Sequence, residues 1–136
     1  MSVPKYRRSE NKLQAIIDTV NMSKYAIQMC ENEKIFPKKT RWTLCNRIID
    51  ECINAVCSVR AANKIKVVDE ETLAKRSDLQ FDALLSFETL WGILTIAHDL
   101  YSIPVDKIEH MSALLLQAEE MVAAWRRADK AKFNKK

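Results

Sequence analysis

Glycine is almost missing from this chain: among its 136 residues only Gly92 is one. Tight hairpins, bulges and phosphate-cradling loops draw on glycine for backbone angles that other residues resist. Helices joined by short loops do not, so the scarcity points to an all-α protein. Only two histidines and three prolines are present. No HExxH, Glu-x-x-His, P-loop or GxSxG motif occurs, which removes the common metal, nucleotide and hydrolase signatures. The four cysteines, Cys30, Cys45, Cys52 and Cys57, form no CxxC pair and have no histidine at ligand spacing. They read as small core hydrophobes of a reducing compartment, with zinc or redox roles as the alternative.

Long apolar runs are lacking too. Nothing approaches the roughly 18 residues that a membrane span requires, and the polar start has no apolar core of a signal peptide. The expectation is a cytosolic (cytoplasmic) protein with no membrane partner. What is present is ordinary for a globular protein, 48% hydrophobic and 29% charged residues, which argues against disorder. The length suits a single domain over residues 1–136.

Periodicity divides the chain into four helices. The first is expected to begin after Ser9, an N-cap candidate, and to run to Asn32 with Leu13, Ile16, Ile17, Val20, Ile27 and Cys30 inward. A loop over 33–39 contains Pro37. The second helix is expected from Pro37 or Thr40 to Lys66, with Leu44, Ile48, Cys52, Val56 and Val59 inward and Ile49 and Ile53 widening the stripe. Asp69 caps the third, with Thr72 three residues on. That helix continues to about Ser102 and carries Leu73, Phe81, Leu84, Leu85, Trp91, Leu94 and His98 or Tyr101 on its inner side. Pro104 starts the fourth, whose stripe is Ile108, Met111, Leu115, Ala118, Val122 and Trp125, before a basic tail beyond Asp129. Short connections make sequential helices antiparallel, giving an up-down-up-down four-helix bundle.

That topology sorts the charge. One end collects 15 basic residues, among them Lys5, Arg7, Arg8, Lys12, Arg60, Lys64, Lys66, Arg126, Arg127, Lys130 and Lys132, against six acids. The other half holds 7 basic and 12 acidic residues, so the net +4 conceals a dipolar molecule. A positive end of this size attracts polyanions through phosphate contacts with little sequence preference. Lys34, Lys38, Lys39 and Arg41 make a smaller basic cluster at the first loop.

Catalytic constellations are not apparent. His98 beside Asp99 reads as a satisfied, partly buried histidine on a helix face, with a general base as the alternative. Asp50-Glu51 and Glu119-Glu120 are sequence neighbours and diverge on a helix. No catalytic residue and no cofactor is expected. Trp91 and Trp125 fall on apolar stripes, whereas Trp42 either packs on the first loop or meets a partner. Asn63, Arg76 and Gln80 either tie helices together or face a ligand.

The segments Phe36-Pro37-Lys38-Lys39-Thr40-Arg41-Trp42-Thr43-Leu44-Cys45-Asn46-Arg47-Ile48, Ala62-Asn63, Arg76-x-x-x-Gln80 and Ala124-Trp125-Arg126-Arg127-Ala128-Asp129 carry a resemblance. Over about residues 5–130 the chain resembles the four-helix-bundle family that includes the accessory variability proteins of diversity-generating retroelements and the proteins of ribosomal RNA intervening sequences. The resemblance implies a pentameric homo-oligomer with a basic surface that binds a reverse transcriptase together with RNA or DNA, leaving the chemistry to the polymerase. Arg7, Arg8, Lys12, Arg60, Lys64, Arg126, Arg127, Lys130 and Lys132 are then the residues expected to contact the phosphate backbone. The alternative is an oligomeric helical scaffold whose partner is protein only.

Overall fold

In the computed structural model, which describes residues 5–134 and side chains from residue 12, every regular element is helical. Four long helices dominate: α1 (Lys5–Glu31), α2 (Asn46–Lys64), α3 (Glu70–Leu100) and α4 (Val105–Asn134). No strand occurs among the described residues. None of these helices is long and apolar enough to cross a membrane.

Local chemistry explains the boundaries. Nothing between Lys5 and Ser9 disfavours helix, so α1 starts ahead of Ser9, which is a helix interior residue instead of the expected cap. Asn32 ends it: its carbonyl accepts from the Ile35 and Phe36 amides at 2.9 Å, and its side chain accepts from Lys34 N–H. The chain then makes a 3₁₀ turn (Lys38–Thr40) and a π-helical turn (Arg41–Cys45) before regular α-helix begins at Asn46, later than the sequence suggests. The Thr40 hydroxyl, fully buried, donates to the Pro37 carbonyl at 2.6 Å and holds this corner. Helix α2 stops at Lys64, two residues early, because Ile65 turns extended and the β-branched Val67 and Val68 favour extended backbone. The Asp69 cap of α3 forms as expected. Its carboxylate accepts from Thr72 N–H at 2.8 Å while the Thr72 hydroxyl accepts from Asp69 N–H at 3.1 Å, a reciprocal capping box.

The helices contact in a closed order, α1 with α2, α2 with α3, α3 with α4 and α4 with α1. Consequently the α1/α2 flank lies opposite the α3/α4 flank. Between them Met22, Met29, Ile48, Val59, Phe87, Leu90, Met111, Leu115, Val122 and Trp125 form the core. Ala15, Ala26, Ala55, Ala83 and Ala118 are buried beside them and allow close helix approach. Phe36 of the first loop is buried as well, so the loop closes one end of the core.

The core differs from the expected stripes in an orderly way. On α1 it is Ala15, Thr19, Met22, Ala26 and Met29 that turn inward, whereas Leu13 and Ile17 are about half exposed (56% and 49%). Ile53, Phe81 and Leu85 are likewise exposed, as are Trp42 and His98. The polar residues that α1 draws inside find hydrogen-bond partners. Thr19 donates to the Ala15 carbonyl at 2.7 Å and Ser23 to the Cys52 carbonyl at 3.3 Å. Asp18 accepts from Gln14 and, across the α1/α4 seam, from Gln117. Since α1 has one apolar stripe for the core and a second left over, α1 and α2 present an apolar surface to solvent.

Candidate nucleic-acid interface

The start of α1, the end of α2, the start of α3 and the end of α4 meet around one cavity of about 300 Å³. Lys12, Lys64, Lys66, Arg76 and Lys132 line it, with Asn63, Phe133 and the extended segment Ile65–Val68. Asp129 is the single carboxylate in its wall among the described residues, and that carboxylate is already engaged. Arg76 Nη1 lies 3.4 Å from Asp129 Oδ1, and Gln80 Nε2 donates to Oδ2 at 2.9 Å. Arg76 also donates through Nε to the Ala62 carbonyl at 3.2 Å, and its guanidinium lies 5.3 Å from the Trp125 ring centroid. Arg76 and Gln80 thus tie α2, α3 and α4 together, the structural member of the two roles their spacing suggests.

The lysines are different. Among the described residues, Lys12, Lys64, Lys66 and Lys132 have no carboxylate within ion-pair distance. Lys12 titrates below the ordinary lysine range, chiefly because burial desolvates its ammonium. The positive charges of Arg76 and Lys132 add to the effect, and Asp129 partly opposes it. Positive charge is therefore concentrated in a concave site, where low-dielectric walls strengthen its field.

The expected contact residues divide into groups. Lys12, Lys64 and Lys132 come together at the cavity. Arg60 stands on the adjoining groove with Ile16, Asn63 and Lys64. Arg127 and Lys130 lie on the outer part of α4, toward its end. Arg126 is occupied within the fold: its Nε donates to the Ser77 hydroxyl at 2.9 Å and its guanidinium covers the Phe81 ring at 5.2 Å. The side chains of Arg7 and Arg8 lie outside the described residues. Lys66 and Arg76 belong to the same site. Their positions in the chain assign them to this end, but nothing local singles them out, because their grouping is made by contacts across three helices.

The loop cluster is partly neutralised. Glu33 sits 4.0 Å from Lys38 and 3.9 Å from Arg41, and Lys39 lies over the Tyr101 ring. Cys45 and Cys52 are buried, Cys30 is half-buried and Cys57 exposed, all four as free thiols. Burial pushes the Cys52 thiol up to about 12, so it stays protonated and unreactive at neutral pH. No group of three or more His, Cys, Asp or Glu side chains placed to hold a metal ion occurs among the described residues.

Two apolar flanks complete the surface. Val20, Ile27, Ile53, Val56 and Cys57 line a shallow apolar groove of about 230 Å³ between α1 and α2, bordered by Lys24. On the opposite flank Phe81 and Leu85 of α3 and Leu116 of α4 are 45–49% exposed. Glu119, also on α4, titrates above the usual carboxylate range. Partial burial is the main cause, reinforced by the nearby Glu88 and Glu120 carboxylates and partly offset by Trp91. Comparison with known proteins adds nothing to this geometry, since no protein family, curated protein or solved structure matches the chain.

Proposed function

We propose that the protein is a non-catalytic accessory factor that binds RNA or DNA by its phosphate backbone and supports a reverse transcriptase of a diversity-generating retroelement. In this reading the four helices run up-down-up-down as an antiparallel bundle, and the chain acts in the cytoplasm as a homo-oligomer, a pentamer by its family resemblance. One observation carries the nucleic-acid part. Lysines from both terminal helices and from the α2–α3 connection gather at a single cavity, and its one carboxylate among the described residues is already paired. The same gathering of helix ends favours the antiparallel arrangement. The retroelement and polymerase part rests on the family resemblance of the segments 36–48, 62–63, 76–80 and 124–129.

The apolar flanks favour self-association. The α1/α2 groove carries Lys24 and the opposite α3/α4 flank carries Glu88 and Glu119, so one copy's α1/α2 flank complements the next copy's α3/α4 flank. Such a head-to-tail contact uses two different surfaces and closes into a ring when the rotation between copies permits. The same flanks also support the second reading, a helical scaffold for a protein partner alone.

Salt separates the two. For a single-stranded complex, every phosphate that a cation neutralises contributes about 0.7 to the slope of log affinity against log salt. Charge reversal of Arg127, Lys130 and Lys132 should therefore reduce that slope by roughly 2 and weaken RNA and DNA alike. A folded variant that binds both as tightly as the parent at low salt overturns the nucleic-acid reading and leaves the scaffold.

A further inference from the structure

Resting on the nucleic-acid reading, we propose that the cavity at the basic pole is an end-binding pocket for a phosphate monoester, the terminal phosphate of a single strand or of a free nucleotide. The concave shape is the first argument. A cavity of about 300 Å³ is at the small end of ligand sites and suits the end of a chain, while the strand that leads from it passes over the exposed lysines and arginines around its rim. Charge is the second. A monoester carries close to two negative charges at neutral pH, against one for each internal phosphodiester. Lys12, Lys64 and Lys132 converge there with no carboxylate within ion-pair distance among the described residues. Asp129 does not repel the ligand strongly, because Arg76 and Gln80 already hold both of its oxygens.

Asn63 supplies an independent sign that the pocket awaits a ligand. Its amide oxygen is buried in the wall and has no hydrogen-bond partner. Buried polar atoms are nearly always paired; Gln80 Oε1 is likewise without a partner but does not line the cavity, whereas Asn63 does, so its amide is free to reorient toward a ligand there. No hydrogen bond to that oxygen opposes turning the amide over, which would present its NH₂ group to a phosphate oxygen. The lowered pKa of Lys12, caused first by burial of its ammonium and then by the charges of Arg76 and Lys132, has the matching sense, since an anion entering beside it favours the charged form.

The test compares one single-stranded RNA sequence carrying either a 5′-phosphate or a 5′-hydroxyl, with adenosine monophosphate and adenosine as small probes. The 5′-phosphate strand should bind about fivefold tighter or more, given the strength of charge-assisted contacts, and adenosine monophosphate should bind where adenosine does not. Lys12→Met and Lys132→Met should each erase the preference, whereas Arg127→Glu with Lys130→Glu should weaken both strands and keep their ratio. If adenosine monophosphate binds while neither strand does, the pocket stands and the polyanion reading falls. If the strands bind equally and adenosine monophosphate no better than adenosine, the pocket is wrong though the polyanion reading survives.

Discussion

Asp129→Ala is the perturbation that probes the site most directly. Asp129 is the only anion in ion-pair contact with Arg76 among the described residues, and both side chains are largely enclosed, 15% and 10% exposed. At 3.4 Å and an effective dielectric near 20, Coulomb's law gives an attraction of about 5 kcal/mol. Only part of that disappears with the carboxylate. Water in the adjoining cavity hydrates the guanidinium, which also keeps the Ala62 carbonyl and the Trp125 ring. Gln80, fully buried, is deprived of its acceptor as well, and an unpaired buried donor costs about 1–3 kcal/mol before relaxation. A net destabilisation of about 2–4 kcal/mol follows, near the cost of breaking a buried pair by removing one partner. Urea unfolding followed by circular dichroism should show a lower midpoint with an unchanged slope. Replacing both partners, Arg76→Met with Asp129→Leu, should recover the part of the stability lost to the orphan guanidinium, while Gln80 still lacks its acceptor. Nucleic-acid affinity should move the opposite way in Asp129→Ala, because a negative charge has left the cavity wall. A cost below about 0.5 kcal/mol, or no coupling between the two positions, would refute the view that this pair organises the basic pole.

Gly92 lies exposed in α3 and a Cβ there meets nothing within 4 Å, so Gly92→Ala should raise stability by about 0.5–1 kcal/mol, read as a higher melting temperature. The Asp69 carboxyl is held below its ordinary range by the Thr72 N–H and hydroxyl, so its support of α3 is present above the unfolded value of 3.8 and lost as pH falls through the lowered folded value. Amide exchange at the start of α3 should accelerate only in that acid window, and Asp69→Asn should flatten the dependence. Ile53→Asp and Leu85→Asp should each abolish self-association in light scattering. When these two variants are mixed, one intact flank of each remains, and a head-to-tail contact then yields dimers that grow no further; monomers alone in the mixture would exclude that geometry.

The residues that stop and start helices act over one turn, and their chemistry was legible directly. Asp69 with Thr72, Pro104 ahead of α4 and the near absence of glycine delimit the later helices to within a few residues. Boundaries slipped where the signal was weaker. Ser9 has the side chain of a cap, but caps act only where a helix has a reason to begin. Likewise the corner at Thr40 is held by Phe36 and Thr40 packing inside the bundle, which no local pattern displays.

Helical character, the Asp69 cap and the segregation of basic residues along the chain were determined by sequence alone, because each depends on residues within a turn or on simple counting. Which stripe of α1 turned inward was decided by tertiary structure. Leu13, Ile17 and Val20 are more apolar than Ala15, Thr19 and Ser23, but close packing rewards small residues at helix crossings, and the hydroxyls of Thr19 and Ser23 found backbone carbonyls to accept their hydrogen bonds. The site was settled in the same way. Arg76 and Asp129 are 53 residues apart, and a polar pair so distant in the chain acquires a partner, a low dielectric and a cavity beside it only once four helices have packed.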